Sequence, residues 1–404
     1  MNAKAVSQPD PASEAAAPLV SPPRMSVAGQ ELQIFLEAPP LIAAMLEDIR
    51  GAKTRVWLES YIYLNDAAGD AVALALKEQA RAGLDVRLLY DAIGSSTTPW
   101  GFFEDLLDAG VQVHAFHTIW EALGRRSILR VLNRRNHRKL LIVDDRAAYF
   151  GGMNIVDPAG DQQVEGPATA PPSAGWRDVH VRLAGPQQKE LAESFERSWL
   201  RANRKKVQWR PRAYRHGVLS PAEESIQFFD TGPGPRYARA ARIFIRLFRA
   251  ARRSITLSMA YFIPMGRVLR ELLRASRRGV RVRVIVPGES DVLLAQWATR
   301  YLYQRLLRRR VRLYERQGNM LHSKVMVVDN QWTVVGSSNL DPRSLWTNLE
   351  LLAVIRSRNM AETMSEICQY EINRSHRVTA ADCRERRCWH RLLNRMAWSV
   401  RWWL

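Results

Sequence analysis

One motif occurs twice in this sequence, and the duplication limits what the chain can fold into more than any other feature. Each copy has a histidine, a lysine two positions later and an aspartate five positions after the lysine: His137, Lys139 and Asp144, then His322, Lys324 and Asp329. A glycine and an asparagine follow at identical spacing, as Gly151 and Asn154 and again as Gly336 and Asn339. A single three-residue match has a chance expectation of roughly 0.05 in a chain this long. Two extended copies therefore indicate an internal repeat.

The elements around the two copies repeat in the same order. A short buried strand at 32–39 or 226–233 leads into a helix-period stretch and then an alternating strand. A helix, a glycine turn and further β-rich runs follow in each half before the motif. Short strands that alternate with helices favour a largely parallel sheet covered on both faces. The sequence predicts an α/β fold of two tandem lobes, each a mostly parallel or mixed sheet flanked by helices, related by pseudo-twofold symmetry.

Local composition predicts where the lobes begin and end. Residues 203–220 are polar and Arg-rich and contain a proline, which is typical of a linker between domains. We predict four segments: a disordered Ala/Pro/Ser-rich tail at 1–28, a first lobe at 29–205, a second lobe at 206–378, and a basic Trp-rich amphipathic segment at 379–404.

Composition and charge narrow the class of protein. The 404 residues are 47% apolar and 25% charged, which is typical of a globular protein and not of a disordered, collagenous or disulfide-rich chain. Lys and Arg outnumber Asp and Glu by 60 to 40, and a net charge of +20 suits nucleic acid, anionic lipid or phosphorylated substrates. The three cysteines show no metal-ligand spacing, so we expect a reducing compartment. No apolar run approaches the about 18–20 residues of a membrane-spanning helix.

The spacing inside the motif has a geometric reason. Residues two apart in an extended segment project from the same face, so the histidine and lysine of each copy face the same space. We interpret the aspartate of each copy mainly as a structural residue that holds a turn. The alternative is that it acts as a catalytic base. Asn154 and Asn339 add amide donors near each pair, with Ser337 beside the second.

Two such pairs suit phosphoryl transfer if they meet across a pseudo-twofold interface. One imidazole then attacks the phosphorus and the other protonates the leaving oxygen. The lysines and asparagines offset charge on the phosphoryl oxygens, so we expect neither a metal nor a cofactor. The two histidines need opposite protonation states near the ordinary pKa of about 6.5, so a carboxylate is expected beside each ring. The candidates are Asp178 and Glu350, which lie at comparable distances after the two motifs.

The paired motifs resemble the phospholipase D superfamily, and the details resemble its bacterial cardiolipin synthase branch. These details are Asn-His-Arg-Lys at 136–139, Gly-Gly-Met-Asn at 151–154, Trp-Arg-Asp at 176–178 followed by Gly-Pro at 185–186, and Gly-Ser-Ser-Asn-Leu-Asp-Pro-Arg-Ser at 336–344. The resemblance covers roughly residues 30–375. It implies two phospholipase D-like lobes and a covalent phosphohistidine intermediate. By this likeness His137 is the nucleophile and His322 the general acid/base, although the residues alone leave the reverse assignment open.

The resemblance also implies a substrate and a location. It implies a transphosphatidylase that transfers a phosphatidyl group to the glycerol head of phosphatidylglycerol and releases glycerol. The implied partners are anionic phospholipid and the membrane surface, at the cytoplasmic side of a bacterial cell membrane. We expect peripheral binding, because the short tail stands where other synthases have two membrane helices.

Several alternatives stay open at this point. Water as the acceptor would make the protein a phospholipase D that hydrolyses phospholipids, and the same chemistry serves phosphodiesterases and nucleases. A catalytically inactive lipid-binding protein is a third alternative. Nucleic acid is the less favoured partner, because no nucleic-acid-binding module is recognised and the Trp-rich basic segment suits lipid better. The oligomeric state is not predicted.

Two segments have two interpretations each. The basic, amphipathic insert at 117–136 is either an apolar, cationic mouth for lipid entry or a surface helix whose apolar stripe belongs to the core. The C-terminal segment either lies in a membrane interface or docks its tryptophans against the core.

Overall fold

The protein is described by a computed structural model over residues 21–117, 133–157, 175–203, 219–232, 239–385 and 388–403. The strands are β1 Arg24–Val27, β2 Gln30–Phe35, β3 Arg55–Ser60, β4 Asp85–Asp91, β5 Gln112–Phe116, β6 Leu140–Val143, β7 Ala147–Gly151, β8 His180–Ala184, β9 Ser225–Thr231, β10 Ser254–Met259, β11 Arg281–Pro287, β12 Arg312–Arg316, β13 Lys324–Val328, β14 Trp332–Gly336, β15 Glu350–Arg356 and β16 Ser375–Val378.

Helices connect the strands. They are α1 Ala38–Arg50, α2 Ala67–Arg81, α3 Trp100–Asp108, α4 Gln188–Ala202, α5 Arg239–Ala250, α6 Gly266–Arg277, α7 Leu293–Tyr301, α8 Tyr303–Leu307, α9 Pro342–Trp346, α10 Arg358–Asn373, α11 Ala380–Glu385 and α12 Cys388–Ser399, followed by a 3-10 turn at Arg401–Trp403. No helix in these ranges has the length and apolar character needed to cross a bilayer.

The strands form two eight-stranded sheets with matching topology. Their orders are β1-β2-β8-β7-β6-β3-β4-β5 and β16-β12-β11-β10-β13-β14-β15-β9. Seven strands of one sheet correspond to seven of the other, and the extra strands β1 and β16 lie at non-equivalent edges. The predicted α/β fold of two tandem lobes is confirmed.

Each sheet is mixed, and its parallel part is small. Among the named strands of the described ranges, β3-β4-β5 and β10-β11-β12 alone pair in parallel, through the helices that connect them. The expectation of a largely parallel sheet is wrong from β6 and β13 onward. There the chain turns back directly into β7 and β14, and antiparallel pairing needs no crossover helix.

The predicted disordered tail at 1–28 is wrong at its C-terminal end. Residues 24–27 form β1, which pairs antiparallel with β2. Ala28 and Gly29 join the strands with φ of 51° and 75°, as in a two-residue turn with positive φ at both positions. The predicted lobe boundary at 205/206 lies outside the described residues and stays a prediction, as does most of the insert at 117–136.

The two lobes share one hydrophobic core. Strands of both sheets and helices α4 and α10 contribute to it, for example through Phe150, Phe195, Val325 and Met364. The rings of Phe150 and Phe228, from opposite lobes, pack edge to face at 5.2 Å. Each lobe has its own further core on the outer side of its sheet. The shared core holds the lobes in a defined orientation and so fixes the groups at their interface.

Candidate active site

The two motif histidines lie two or three residues before equivalent strands and are hydrogen-bonded to the opposite lobe. The His137 N–H donates to the Leu349 carbonyl oxygen at 3.0 Å, and the His322 N–H donates to the Arg177 carbonyl oxygen at 2.7 Å. Short parallel bridges, Asn136 with Leu349 and Arg177 with Leu321, extend these contacts. Backbone pairing across the interface therefore brings the two motifs together.

The carboxylates beside the rings are exchanged between the lobes. His137 Nδ1 lies 3.1 Å from Oε2 of Glu350, which belongs to the second lobe. His322 Nδ1 lies 2.7 Å from Oδ2 of Asp178, which belongs to the first. Neither histidine has its orienting carboxylate without the other half of the chain, so the two motifs and both carboxylates form one site.

The surroundings of His137 determine its tautomer. Its Nδ1 is also 3.1 Å from the backbone carbonyl oxygen of Ser337. A carbonyl oxygen only accepts hydrogen bonds, so Nδ1 carries the proton and Nε2 keeps its lone pair. The side chain is 11% exposed, so the lone pair can reach a ligand. His137 is thus held in the tautomer whose Nε2 is unprotonated.

The lysines lie within the same buried cluster. Lys324 Nζ is 3.1 Å from Asp178 Oδ2 and 2.7 Å from His322 Nδ1. Lys139 Nζ donates to the His137 carbonyl oxygen at 2.8 Å and lies 5.0 Å from the centre of the Tyr61 ring. Burial, and then the positive charge of Lys324, hold the pKa of Lys139 well below its usual value. An anion in the cluster would relieve this repulsion.

The two asparagines are oriented alike. Asn154 Oδ1 accepts the Ile62 N–H at 3.3 Å, and Asn339 Oδ1 accepts the Tyr261 N–H at 3.4 Å. Because the amide oxygen is used in this way, the Nδ2 group of each remains a donor for a ligand.

The motif aspartates lie apart from this cluster. Asp144 accepts the N–H groups of Lys53, Thr54 and Arg55 at 2.8–3.0 Å, where α1 leads into β3. Asp329 accepts the N–H groups of 252–254 in the same manner. Seven residues of extended chain, roughly 20 Å, separate each aspartate from its histidine. The structure does not bring them to the site, although the motif includes them among the candidate catalytic residues.

Comparison with known proteins identifies the family to which this chain belongs. The family model described as "Cardiolipin synthase, PLD-like domain" matches residues 45–166 and 244–371. Cardiolipin synthase A of Pseudomonas fluorescens is 32% identical over 373 residues, covering 92% of this chain and 74% of that protein. The chain belongs to the cardiolipin synthase family. Cardiolipin synthase A of Yersinia pestis is 31% identical, with 92% of this chain and 75% of that protein covered.

Solved structures share the fold of this cardiolipin synthase family member at low sequence identity. Phosphatidylserine synthase of Haemophilus influenzae aligns with a TM-score of 0.69 and 15% identity, over 92% of this chain and 95% of that chain. Polyphosphate kinase of Porphyromonas gingivalis aligns with a TM-score of 0.56 and 14% identity, over 87% of this chain and 49% of that chain. The expected membership of the phospholipase D superfamily is confirmed at the level of fold and family.

Electrostatics distinguish the two histidine–carboxylate pairs of this family member. Burial, and then the charges of Lys139, Lys324 and His322, hold the pKa of His137 well below 6.5. Burial raises the pKa of Glu350 to about 7, against the opposing charge of Lys139. Burial also acts on Asp178, but the charge of Lys324 and the hydrogen bond from His322 outweigh it and lower its pKa. His322 therefore has a fixed anion beside it, whereas Glu350 is partly protonated near neutral pH.

Sequence reasoning did not select four further residues at the site of this cardiolipin synthase family member. The Tyr61 ring lies 4.8 Å from the His137 ring, and the rings of Trp176 and Tyr261 lie 4.6 and 6.3 Å from the His322 ring. The charge of Arg343 acts on His137, and its Nε is buried without a hydrogen-bond partner. Tyr61 and Tyr261 each follow a repeated parallel strand. Ligands often bind at that end of a sheet, so this position could have identified both tyrosines from the sequence.

Proposed function

We propose that the protein transfers a phosphatidyl group from one phosphatidylglycerol to the glycerol head of another, forming cardiolipin and glycerol through a phosphohistidine. The observation that carries the proposal is the pair of histidine–carboxylate contacts exchanged across the lobe interface. It provides one ring with a free Nε2 lone pair and a second ring beside an anion, as a two-step displacement requires.

The first step forms the covalent intermediate. His137 Nε2 attacks the phosphorus of phosphatidylglycerol, and the bond from phosphorus to the oxygen of the glycerol head breaks. Protonated His322 gives its proton to that oxygen, so neutral glycerol leaves. The Nδ1 proton of His137 stays between the Ser337 carbonyl and Glu350, which offset the positive charge that develops on the ring.

The second step returns the enzyme to its starting state. Neutral His322 takes the proton from a hydroxyl group of the second phosphatidylglycerol, and its oxygen attacks the phosphorus. The nitrogen–phosphorus bond breaks, which releases His137 and forms cardiolipin. One phosphodiester replaces another, so no nucleotide is consumed. Water in place of the lipid hydroxyl would give phosphatidic acid, so yield depends on keeping water out.

Fixed donors stabilise the phosphoryl oxygens. Lys139 and Lys324 supply positive charge, and Asn154 and Asn339 supply amide N–H groups that need no rearrangement during the reaction. The buried cationic cluster accepts the single charge of a lipid phosphodiester. We expect turnover to continue in EDTA.

We also propose where the reaction takes place. Lipid substrates require a membrane surface, and the net charge of +20 favours an anionic leaflet. The free thiol of Cys368 is consistent with the cytoplasmic side of the bacterial membrane.

A product assay tests the proposal. Purified protein is incubated with phosphatidylglycerol vesicles in EDTA, and the lipids are resolved by chromatography beside His137→Ala and His322→Ala variants. Cardiolipin and glycerol are expected from the parent, and losses of about 10²-fold or more from each variant. His376→Ala is the control, because that exposed histidine pairs with Asp382 outside the site. Phosphatidic acid as the main product, or DNA cleavage with untouched lipid, would contradict the proposal.

A further inference from the structure

Exposed apolar side chains are concentrated on one part of the surface. Among the described residues, thirteen large apolar side chains are exposed, and ten of them fall within 292–301 and 389–403. The ten are Val292, Leu293, Leu294, Tyr301, Trp389, Leu392, Met396, Val400, Trp402 and Trp403, which we call the docking face. Single exposed apolar residues scattered over a surface are ordinary, whereas a cluster of this kind marks an interaction site.

Helix α12 exposes several large apolar side chains, which is unusual for a surface helix of a soluble domain. Trp389, Leu392, Met396 and Val400 are spaced by three or four residues, so they lie along one side of the helical path, and all four are exposed. The buried positions of the helix include Asn394 and Ala397. An ordinary surface helix buries its large apolar residues and exposes its polar ones. The outward side of α12 is therefore suited to an apolar environment outside the protein.

The two segments form one continuous surface. Ala397 of α12 packs in a small core with Ile263 and with Ala295 and Ala298 of α7. Tyr301 at the end of α7 stacks on Trp398 with ring centres 5.0 Å apart. The docked position of α12 beside α7 thus explains how exposed residues from both segments lie next to each other.

The docking face adjoins the candidate active site at two points. Asp291, directly before Val292, accepts the Tyr261 hydroxyl at 2.7 Å, and the Tyr261 ring lies 6.3 Å from the His322 ring. Trp402 packs against Trp346 of α9 with ring centres 6.0 Å apart, and α9 also carries Arg343. A lipid that meets the docking face is therefore close to Tyr261 and to α9, both of which border the site.

The charged residues within the two segments of the docking face are arginines, and Asp291 lies directly before the first segment. Residues 292–310 and 388–403 contain no Asp or Glu, but they contain five and three arginines respectively. Arg391 and Arg395 are exposed on α12, beside the apolar side chains. Tryptophan with arginine is the composition of interfacial helices on anionic bilayers, where arginines reach the headgroups while apolar side chains enter the acyl boundary.

We propose that the docking face inserts into the interface of an anionic bilayer and holds the site opening against the lipids. Membrane binding by this face is independent of turnover. Only its role in lipid delivery rests on the function proposed above.

Vesicle binding by the full chain tests the proposal. The variant Leu392→Gln/Met396→Gln keeps good helix formers at both positions and removes two exposed apolar side chains. We expect it to bind phosphatidylglycerol/phosphatidylcholine vesicles at least tenfold more weakly than the parent in co-sedimentation, with an unchanged Tm. The matched control is Leu74→Gln/Leu107→Gln, which changes two exposed leucines outside the docking face and is expected to bind like the parent.

Three outcomes decide whether the docking face binds the membrane. Weaker binding by the α12 variant alone, together with weaker parent binding to vesicles that lack anionic lipid, supports the proposal. Equal binding by both variants and the parent overturns it. A parent dimer in sedimentation velocity that the α12 variant abolishes, with vesicle binding unchanged, also overturns it and makes the face a self-association surface. Cardiolipin formation is not read in this experiment, so failure of the proposed reaction would be seen separately.

Discussion

Gly152 and Ser337 occupy equivalent positions in the two halves, and each lies beside the carboxylate of its own half. Ser337 Oγ donates a hydrogen bond to Glu350. A Cβ at position 152 would overlap the Asp178 carboxylate. Glycine therefore leaves room for this carboxylate in the position where it contacts Lys324 and His322. Asp178 is thereby ionised, whereas Glu350 has a pKa of about 7. Burial raises the pKa of Glu350 although the Ser337 hydrogen bond opposes it, whereas the charge of Lys324 and the hydrogen bond from His322 lower the pKa of Asp178. This asymmetry supports the proposal of His322 as the acid.

The charge of Asp178 is expected to control the pH dependence of the reaction. Burial, and then the charge of Lys324, lower the pKa of His322, and the hydrogen bond and charge of Asp178 partly oppose them. In Asp178→Asn that pKa falls, so His322 loses its proton at lower pH. The alkaline limb of the kcat/KM profile should move to lower pH by about one unit or more, and kcat should fall. Asp382→Asn, beside the exposed His376, is the control. An unchanged alkaline limb would exclude His322 as the acid.

Arg343 is expected to bind the lipid phosphate. Its buried Nε has no hydrogen-bond partner, and its charge already acts on His137. A hydrogen bond to a charged group is worth about 1.5–3 kcal/mol, so Arg343→Ala should lower kcat/KM for phosphatidylglycerol by about 10- to 100-fold. Arg343→Lys should recover only part of this, because lysine lacks the planar fork. Arg270→Ala removes an exposed arginine elsewhere in the lobe as a control. Equal kinetics for Arg343→Ala and parent would remove Arg343 from the site.

At the scale of elements, sequence reasoning succeeded where the signal is local. The apolar runs after Lys139 and Lys324 became β6 and β13, and the repeated helices and strands became α1–β5 and their counterparts. The exchange of Asp178 and Glu350 between the lobes depends on contacts 144 and 213 residues apart in the chain. No periodicity records such a contact, so the sequence predicted both carboxylates but not their crossed pairing.

The motif aspartates are expected to stabilise turns and to take no part in the chemistry. Asp144 has φ of 52° and holds three backbone N–H groups at the start of β3. Asp144→Asn should lower the free energy of unfolding by about 1–3 kcal/mol, because an amide accepts these bonds less well. Urea unfolding measures the loss, and kcat per folded molecule should equal that of the parent. A fall in kcat without a fall in stability would restore the catalytic interpretation.

A buried ionic network joins β9 to the first lobe. Asp230 accepts hydrogen bonds from Arg138, Arg197 and Ser194, and Arg138 directly follows the nucleophile candidate His137. Removing one partner of a buried pair leaves the other charge unpaired.

We expect Asp230→Asn to destabilise the protein by about 3–5 kcal/mol, as measured by urea unfolding. Asp105→Asn breaks the pair with Lys77, in which the carboxylate is exposed. It should cost about 1 kcal/mol or less. Similar losses for the two variants would mean that the buried network contributes no more than a surface pair.

At the scale of the whole molecule, duplication places one candidate catalytic histidine on each side of a shared interface. The common core fixes the lobes, the exchanged backbone bridges align the histidines, and the docking face lies beside residues that border the site. The repeat in the sequence predicted the two lobes and their meeting. The C-terminal segment had two interpretations in the sequence. The structure docks α12 on α7 through Trp398 and Ala397 but leaves Trp389, Trp402 and Trp403 exposed, so the membrane interpretation stays a proposal.

The most direct test of the two-histidine mechanism is the location of the phosphorus during turnover. Protein is mixed with phosphatidylglycerol labelled at phosphorus with ³²P, quenched in alkali after a fraction of a second, and digested. We predict alkali-stable, acid-labile label on the peptide that contains His137, and none in His137→Gln. Label on the peptide that contains His322, or full cardiolipin production with no labelled histidine, would contradict the account.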